Sequence, residues 1–137
     1  MRLDWIKPGD IRLHWETIKP GLKKIEATTD AWIVEDIYLA LRTNACTLHI
    51  GYEEEYVGFI ITQKQDNYGV VGIHVWAAYS EAHDFNILEA AVTHLHDWAH
   101  NVEAKKITFS STRKGWMRQA QKLGFKQSPL ITYELRL

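Results

Sequence analysis

Histidine is the side chain that gains and loses a proton near neutral pH, and this chain carries seven of them. His74 sits in the run "YGVVGIHVWAAY". If that run is a strand, its period of two aims His74 to the face opposite Ile73 and Val75, where a ring nitrogen can accept a proton. The plainer alternative is a core histidine hydrogen-bonded to its neighbours. His49, on an earlier apolar run, has a weaker claim. His96 and His100 lie four apart on one helical flank, but His94 points to the other flank and no HExxH motif or third ligand accompanies them, so no metal is expected. Cys46 is the only cysteine. It reads as an inert core thiol, and with no partner for a disulfide the simpler setting is a reducing one. The chain has no Gly-x-Ser-x-Gly elbow, Walker loop or Cys-x-x-Cys pair, so hydrolase, nucleotidase and redox chemistry find no support.

A second chemical grouping is Arg113, Lys114 and Arg118 beside Trp116, in "STRKGWMRQAQKLGFK". A guanidinium next to an exposed indole is a common binding-surface pairing. A solvated helix face with Trp116 turned into the core is the alternative. Six tryptophans is high for 137 residues, and Trp5, Trp15, Trp32 and Trp98 sit among apolar residues, as core aromatics do. A net charge of −1 and a pI near 6.6 remove the usual electrostatic reason to expect nucleic-acid binding. The length suits one domain spanning 1–137. Residues 1–10 lack the apolar stretch and cleavage site of a signal peptide, and no run approaches the roughly 18 apolar residues of a membrane span. A cytoplasmic protein, with no membrane partner, is the expectation.

These residues must be positioned by alternating helices and strands. Arg2 to Ile6 reads as a short strand closed by Pro8-Gly9-Asp10. A helix follows, with Ile11, Trp15, Ile18 and Leu22 at helical spacing and a kink or break at Pro20-Gly21. "TTDAWIVEDIYLALRTNA" is a second helix. "CTLHIGY" and "YVGFIITQ" read as a hairpin around Glu53-Glu54-Glu55, and the His74 strand follows a turn at Gln65-Asp66-Asn67. From Asp84 to Val102 the period becomes 3.6, with Leu88, Ala91, Val92, Leu95, Trp98, Ala99 and Val102 on one stripe. N-capping is the plain role for the Asp84 region. "KKITFSS" is a strand, "GWMRQAQKL" a helix ended by Gly124 in a left-handed conformation, and Phe125 opens a strand. "LITYELRL" is expected to close the chain as another strand.

The order of long helix, strand, short helix, Leu-Gly-Phe and final strand in "HDWAHNVEAKKITFSS", "QKLGFK" and "YELRL" resembles the GNAT superfamily, the acetyl-CoA-dependent N-acetyltransferases. With the two N-terminal helices and the "LHIGYEEEYVGFIITQ" hairpin, the likeness covers nearly the whole chain. More narrowly, "VWAAYS", "FSSTRKGWMRQAQKLGF" and "WIVEDIYLAL" look like small GNAT-like proteins of tailed bacteriophages. The resemblance implies an α/β fold with a mixed, mostly antiparallel sheet of about six to seven strands and about four helices on both faces.

It also implies acetyl-CoA as cofactor, no metal, and an amine acceptor. The backbone around Val75, Trp76 and Ala77 matches the place where the family pairs with the pantetheine arm. The family's pyrophosphate loop falls on "SEAHDFNILE", which includes Asn86 but has no glycine or arginine, while Glu81, Asp84 and Glu89 add negative charge. Arg113 and Lys114 are the substitute phosphate contacts. Ala120 stands where the family's proton-donating tyrosine would, which leaves Tyr133, or Tyr79, to supply a phenolic proton beside His74 as base. Two functions follow from this. One is an N-acetyltransferase with a degenerate cofactor loop. The other is a non-catalytic GNAT-fold phage protein, a virion component or a binder of a host protein, in the host cytoplasm or the virion. Trp76 and Trp116 flank the implied cleft and, if exposed, would mark a partner surface such as a homo-oligomer contact.

Overall fold

In the computed structural model the described residues are 1–82, 86–110 and 116–137, without the side chains of Trp116 and Met117. The acidic tip turns the chain as its sequence demands: β2 (Thr47–Glu53) and β3 (Glu55–Asn67) pair antiparallel down to Glu53 opposite Glu55. Glu54 alone makes the bend, at φ +67°. The next turn comes later than predicted. β3 continues to Asn67, which pairs with Val70 at the start of β4 (Val70–Ser80). Tyr68 and Gly69 form the two-residue loop, both at positive φ, and the Gly69 N–H donates to Asp66 Oδ1 at 2.9 Å. Two left-handed residues are what a tight hairpin needs to match strand twist.

β1 (Arg2–Ile6) joins the edge beside β2, and β5 (Lys106–Phe109) lies parallel to β4, giving the order β1-β2-β3-β4-β5 with only the last pair parallel. α1 (Ile11–Glu26) and α2 (Val34–Arg42) cover one face, where Ile18, Leu22, Val34 and Leu41 pack with Leu48, Ile50, Phe59 and Ile61. α3 (Ile87–Asn101) covers the other through Leu88, Ala91 and Leu95 against Ile60 and Val75. The short α4 (Trp116–Lys122) follows β5. This is the mixed α/β architecture expected, with four helices and a mostly antiparallel sheet.

Two expectations are corrected. α1 does not break at Pro20, which lies inside a continuous helix. Pro20 faces solvent while Ile18, Gly21 and Leu22 on either side are buried. The carbonyl freed by the missing N–H can therefore reach water, and the packed face holds the helix together. The sheet has five strands, not six to seven, because among the described residues nothing after Lys122 is a strand. Gly124 does terminate α4 at φ +88°, and Phe125 turns back to meet Phe109 edge-on at 5.0 Å. Beyond it the chain carries no regular secondary structure and is exposed, with the Arg136 guanidinium 3.5 Å from Asp30 in the α1–α2 loop. An amphipathic period of two makes a strand only where a neighbouring edge accepts it.

Candidate functional site

The site arises from a miscount between β3 and β4. Thr62 lies opposite Val75, but Ile61 lies opposite Ala77, so Trp76 is an extra residue, a β-bulge. A bulge bends its strand and sharpens the twist. It also reverses which face each residue takes: Val75 packs with Ile60 on the α3 side, whereas Ala77 and Tyr79 join Ile61 and Phe59 on the α1–α2 side. On its other flank β4 pairs with β5 from Gly72 opposite Lys106 to Val75 opposite Phe109, and the ladder ends there while β4 runs on to Ser80. The two parallel strands part at the bulge. Among the described residues, the Trp76–Ser80 backbone is therefore bonded to β3 on one side and has no strand on the other.

His74 stands one rung below that parting. It is half-buried, and its Nδ1 lies 2.8 Å from Thr108 Oγ1 on β5. Burial lowers its pKa below the usual histidine value, so the ring is neutral at neutral pH. Trp76 packs against Trp32 at 4.9 Å, forming an aromatic wall on the α1–α2 side. Val75 and Ala77 are buried.

His49 is elsewhere. It is buried on the α3 side, its Nε2 3.1 Å from Thr62 Oγ1 and its ring edge-on to Trp98 at 5.0 Å. Desolvation pushes its pKa down to about 4. Tyr133 lies in the C-terminal segment, 88% exposed.

At the far end of β4 the start of α3 is closed by its own side chains. Ser80 Oγ accepts from the Ile87 N–H at 3.1 Å, and Asn86 Oδ1 accepts from Leu88 and Glu89 at 3.1 and 3.2 Å. The Ala90 N–H already reaches the Asn86 carbonyl. Every amide of the first helical turn thus has an acceptor, which leaves none idle for an anion. Asn86 is the cap here. The capping expected of Asp84, and the contacts expected of Arg113 and Lys114, lie outside the described residues, as does the Trp116 side chain.

Sequence reasoning missed several groups. Thr108 was invisible because only the β4–β5 register pairs it with His74. Tyr79 was named as a possible proton source, but not its partners: on the α1–α2 side its Oη accepts from Lys24 Nζ at 3.2 Å and donates to Glu81 Oε2 at 3.1 Å. The neighbouring Tyr56 hydroxyl is buried with no hydrogen-bond partner among the described residues, and burial, then Glu81, Tyr79 and Tyr52, push its pKa up. No group of three or more potential ligands gathers for a metal among the described residues, and no described helix is long and apolar enough to cross a membrane.

No family model and no curated protein matches the chain. Solved structures do. A probable acetyltransferase superposes with a TM-score of 0.79 at 14% identity, covering 100% of this chain and 99% of its own. The fold is that of the GNAT acetyltransferases. A ribosomal-protein-alanine N-acetyltransferase from Brucella melitensis biovar Abortus 2308 gives 0.71 at 15% identity with 100% of both chains covered. The aminoglycoside N-acetyltransferase AAC(6')-Iy, in complex with CoA, gives 0.68 at 14% identity over 99% of this chain and 95% of that one. The bulge, the parted strands and the long α3 are thus elements of a GNAT fold, while identities this low speak for architecture alone.

Proposed function

We propose that this protein is an acetyl-CoA-dependent N-acetyltransferase with a weakened pyrophosphate site. The observation that carries the reading is the parting of β4 from β5 after Val75, which among the described residues leaves the Trp76–Ser80 backbone edge without a strand and suited to a strand-like ligand. The pantetheine arm, with its two amides, suits such an edge. The start of α3 fits the rest of the cofactor poorly, since Ser80 and Asn86 hold its amides and Glu81 and Glu89 add negative charge. Arg113 and Lys114 are proposed as the phosphate contacts in their place.

Coenzyme A, when bound, supplies the acetyl group as a thioester. His74 supplies the proton acceptor. With the Nδ1 proton donated to Thr108 Oγ1, Nε2 keeps a lone pair, and the neutral ring can take a proton from an incoming ammonium. Trp32 and Trp76 wall the α1–α2 side, where a primary amine would lie. Tyr133 receives no role in proton transfer, because its exposed position gives it no fixed relation to the cleft, and water can protonate the leaving thiolate.

The self-capped start of α3 favours a second reading, a GNAT-fold binding module without catalysis, such as the virion or host-binding role that the phage likeness implies. Calorimetric titration with acetyl-CoA at neutral pH separates the two. Binding in the micromolar range that Arg113→Ala weakens supports the transferase. Absence of binding at millimolar ligand leaves the binding module.

A further inference from the structure

We propose that a cavity on the α3 face, over the start of β5, binds a small aryl anion: a carboxylate or phosphate carried on a flat apolar body. Charge is segregated along this chain. Residues 104–133 hold seven Lys and Arg and no Asp or Glu, which leaves nine Lys and Arg against 17 Asp and Glu in the rest. A net charge near zero conceals a basic part and an acidic part, and an anion is drawn to the first.

The basic stretch helps to close a recess. α3, the start of β5 and the turn after α4 enclose about 430 Å³, within the range of small-molecule sites. Val92, Ala99, Ile107, Leu123 and Phe125 give it an apolar lining. Phe125 is only half-buried, although its ring meets that of Phe109 at 5.0 Å, so aromatic surface is left for a flat ligand to cover.

The polar contacts converge on the same recess. Lys105, Lys126, His96 and His100 line it. Lys106 does too, but its stem passes 3.3 Å from where a Gly72 Cβ would lie, on the face opposite Ile107 by strand alternation. Lys105 and Lys126 are therefore the cations placed for a ligand. The His96 and His100 rings lie 4.6 Å apart, and a neutral imidazole of either tautomer keeps one N–H to donate. Among the described residues no carboxylate lines the recess, since Asp97 and Glu103 adjoin lining residues in the chain yet stay outside it. An anion thus meets cations and donors without a competitor, while its apolar body leaves water. β5 begins at this cavity with Lys106 and reaches its parting from β4 only at Phe109. Neither the bulge nor His74 takes part, so the site stands apart from the cofactor reading.

Fluorescence titration of the full chain with anilinonaphthalene sulfonate, an aryl anion that brightens when its rings leave water, should saturate at one probe per chain. Phenyl phosphate or benzoate should displace it, the stronger competitor naming the anionic group, and neutral benzyl alcohol should not. Lys105→Glu with Lys126→Glu, both exposed positions, should weaken binding by about tenfold or more, the worth of one lost charge-assisted hydrogen bond. Val92→Phe, which fills the cavity and leaves its charge alone, should weaken it as well, with far-ultraviolet circular dichroism checking that both variants keep the fold. Binding that does not saturate, or that neither variant weakens, would overturn the proposal. So would oligothymidylate binding more tightly than phenyl phosphate, since the basic stretch would then serve a polyanion rather than the cavity.

Discussion

His74 Nδ1 and Thr108 Oγ1 stand 2.8 Å apart across β4 and β5, at the rung before the strands separate. One side-chain hydrogen bond thus ties β4 to β5 just below their parting and orients the imidazole. If His74 is the base, His74→Gln should lower kcat/KM by about 10²-fold or more, the usual worth of a positioned acid–base group. Thr108→Val, which keeps the shape and removes the hydroxyl, should lower kcat by a smaller factor and leave the KM for acetyl-CoA nearly unchanged. Burial lowers the pKa of His74, so wild-type kcat/KM should be level near neutral pH and fall only below the ordinary histidine range. An acid limb that stays in place in His74→Gln would assign the proton transfer to another group.

The cap at α3 makes a separate prediction about affinity. Asn86 Oδ1 holds the Leu88 and Glu89 amides, and glycine at an N-cap costs only a few tenths of a kcal/mol relative to asparagine. Asn86→Gly should therefore release two donors at little cost in stability, and coenzyme A should bind about tenfold more tightly if those donors can meet phosphate. Calorimetry on both proteins checks it. Unchanged affinity would mean that the pyrophosphate lies away from this helix.

Gly21 sets how closely α1 approaches the sheet. A Cβ there would lie 2.6 Å from Tyr79 Cδ1 and 2.9 Å from Phe59 Cε1. Alanine favours a helix by about 1 kcal/mol over glycine, while forcing two packed rings apart costs about 1–3 kcal/mol. The clash should win, so Gly21→Ala should destabilise the protein in urea titration and shift the Tyr79 contacts with Lys24 and Glu81. A stabilised variant would show that the rings yield freely.

What the sequence disclosed follows from the range of the forces involved. The hairpin at Glu54, the stripe of α3 and the stop at Gly124 are written in neighbouring residues, and all three were legible. Pro20 misled because local chemistry argues for a break, whereas burial of Ile18, Gly21 and Leu22 decides the outcome. The bulge at Trp76 was hidden, since an extra residue exists only relative to the strand opposite. Thr108 and Ser80 were hidden for the same reason. The period of 130–137 suggested a strand that the structure does not form, because periodicity supplies no edge to pair with. Alternation set His74 on the face opposite Val75, and its hydrogen bond to Thr108 came from register alone.

His49 should make the fold sensitive to acid. It is 3% exposed, and its pKa is pushed down to about 4 from an ordinary value of 6.5. The unfolded chain therefore binds the proton first as pH falls. The stability held by the neutral ring is complete above pH 6.5 and is lost progressively as pH drops toward 4. A difference of this size corresponds to about 3 kcal/mol, large beside the net stability of a small domain. Glutamine at this position keeps a partner for Thr62 and has no proton to gain in that range. Urea titrations at pH 7, 5.5 and 4.5 should show a steep loss for the wild type and a shallower one for His49→Gln, with the carboxylates supplying what slope remains. Equal slopes would mean that His49 is protonated without cost, by an opening that lets water reach it between Thr62 and Trp98.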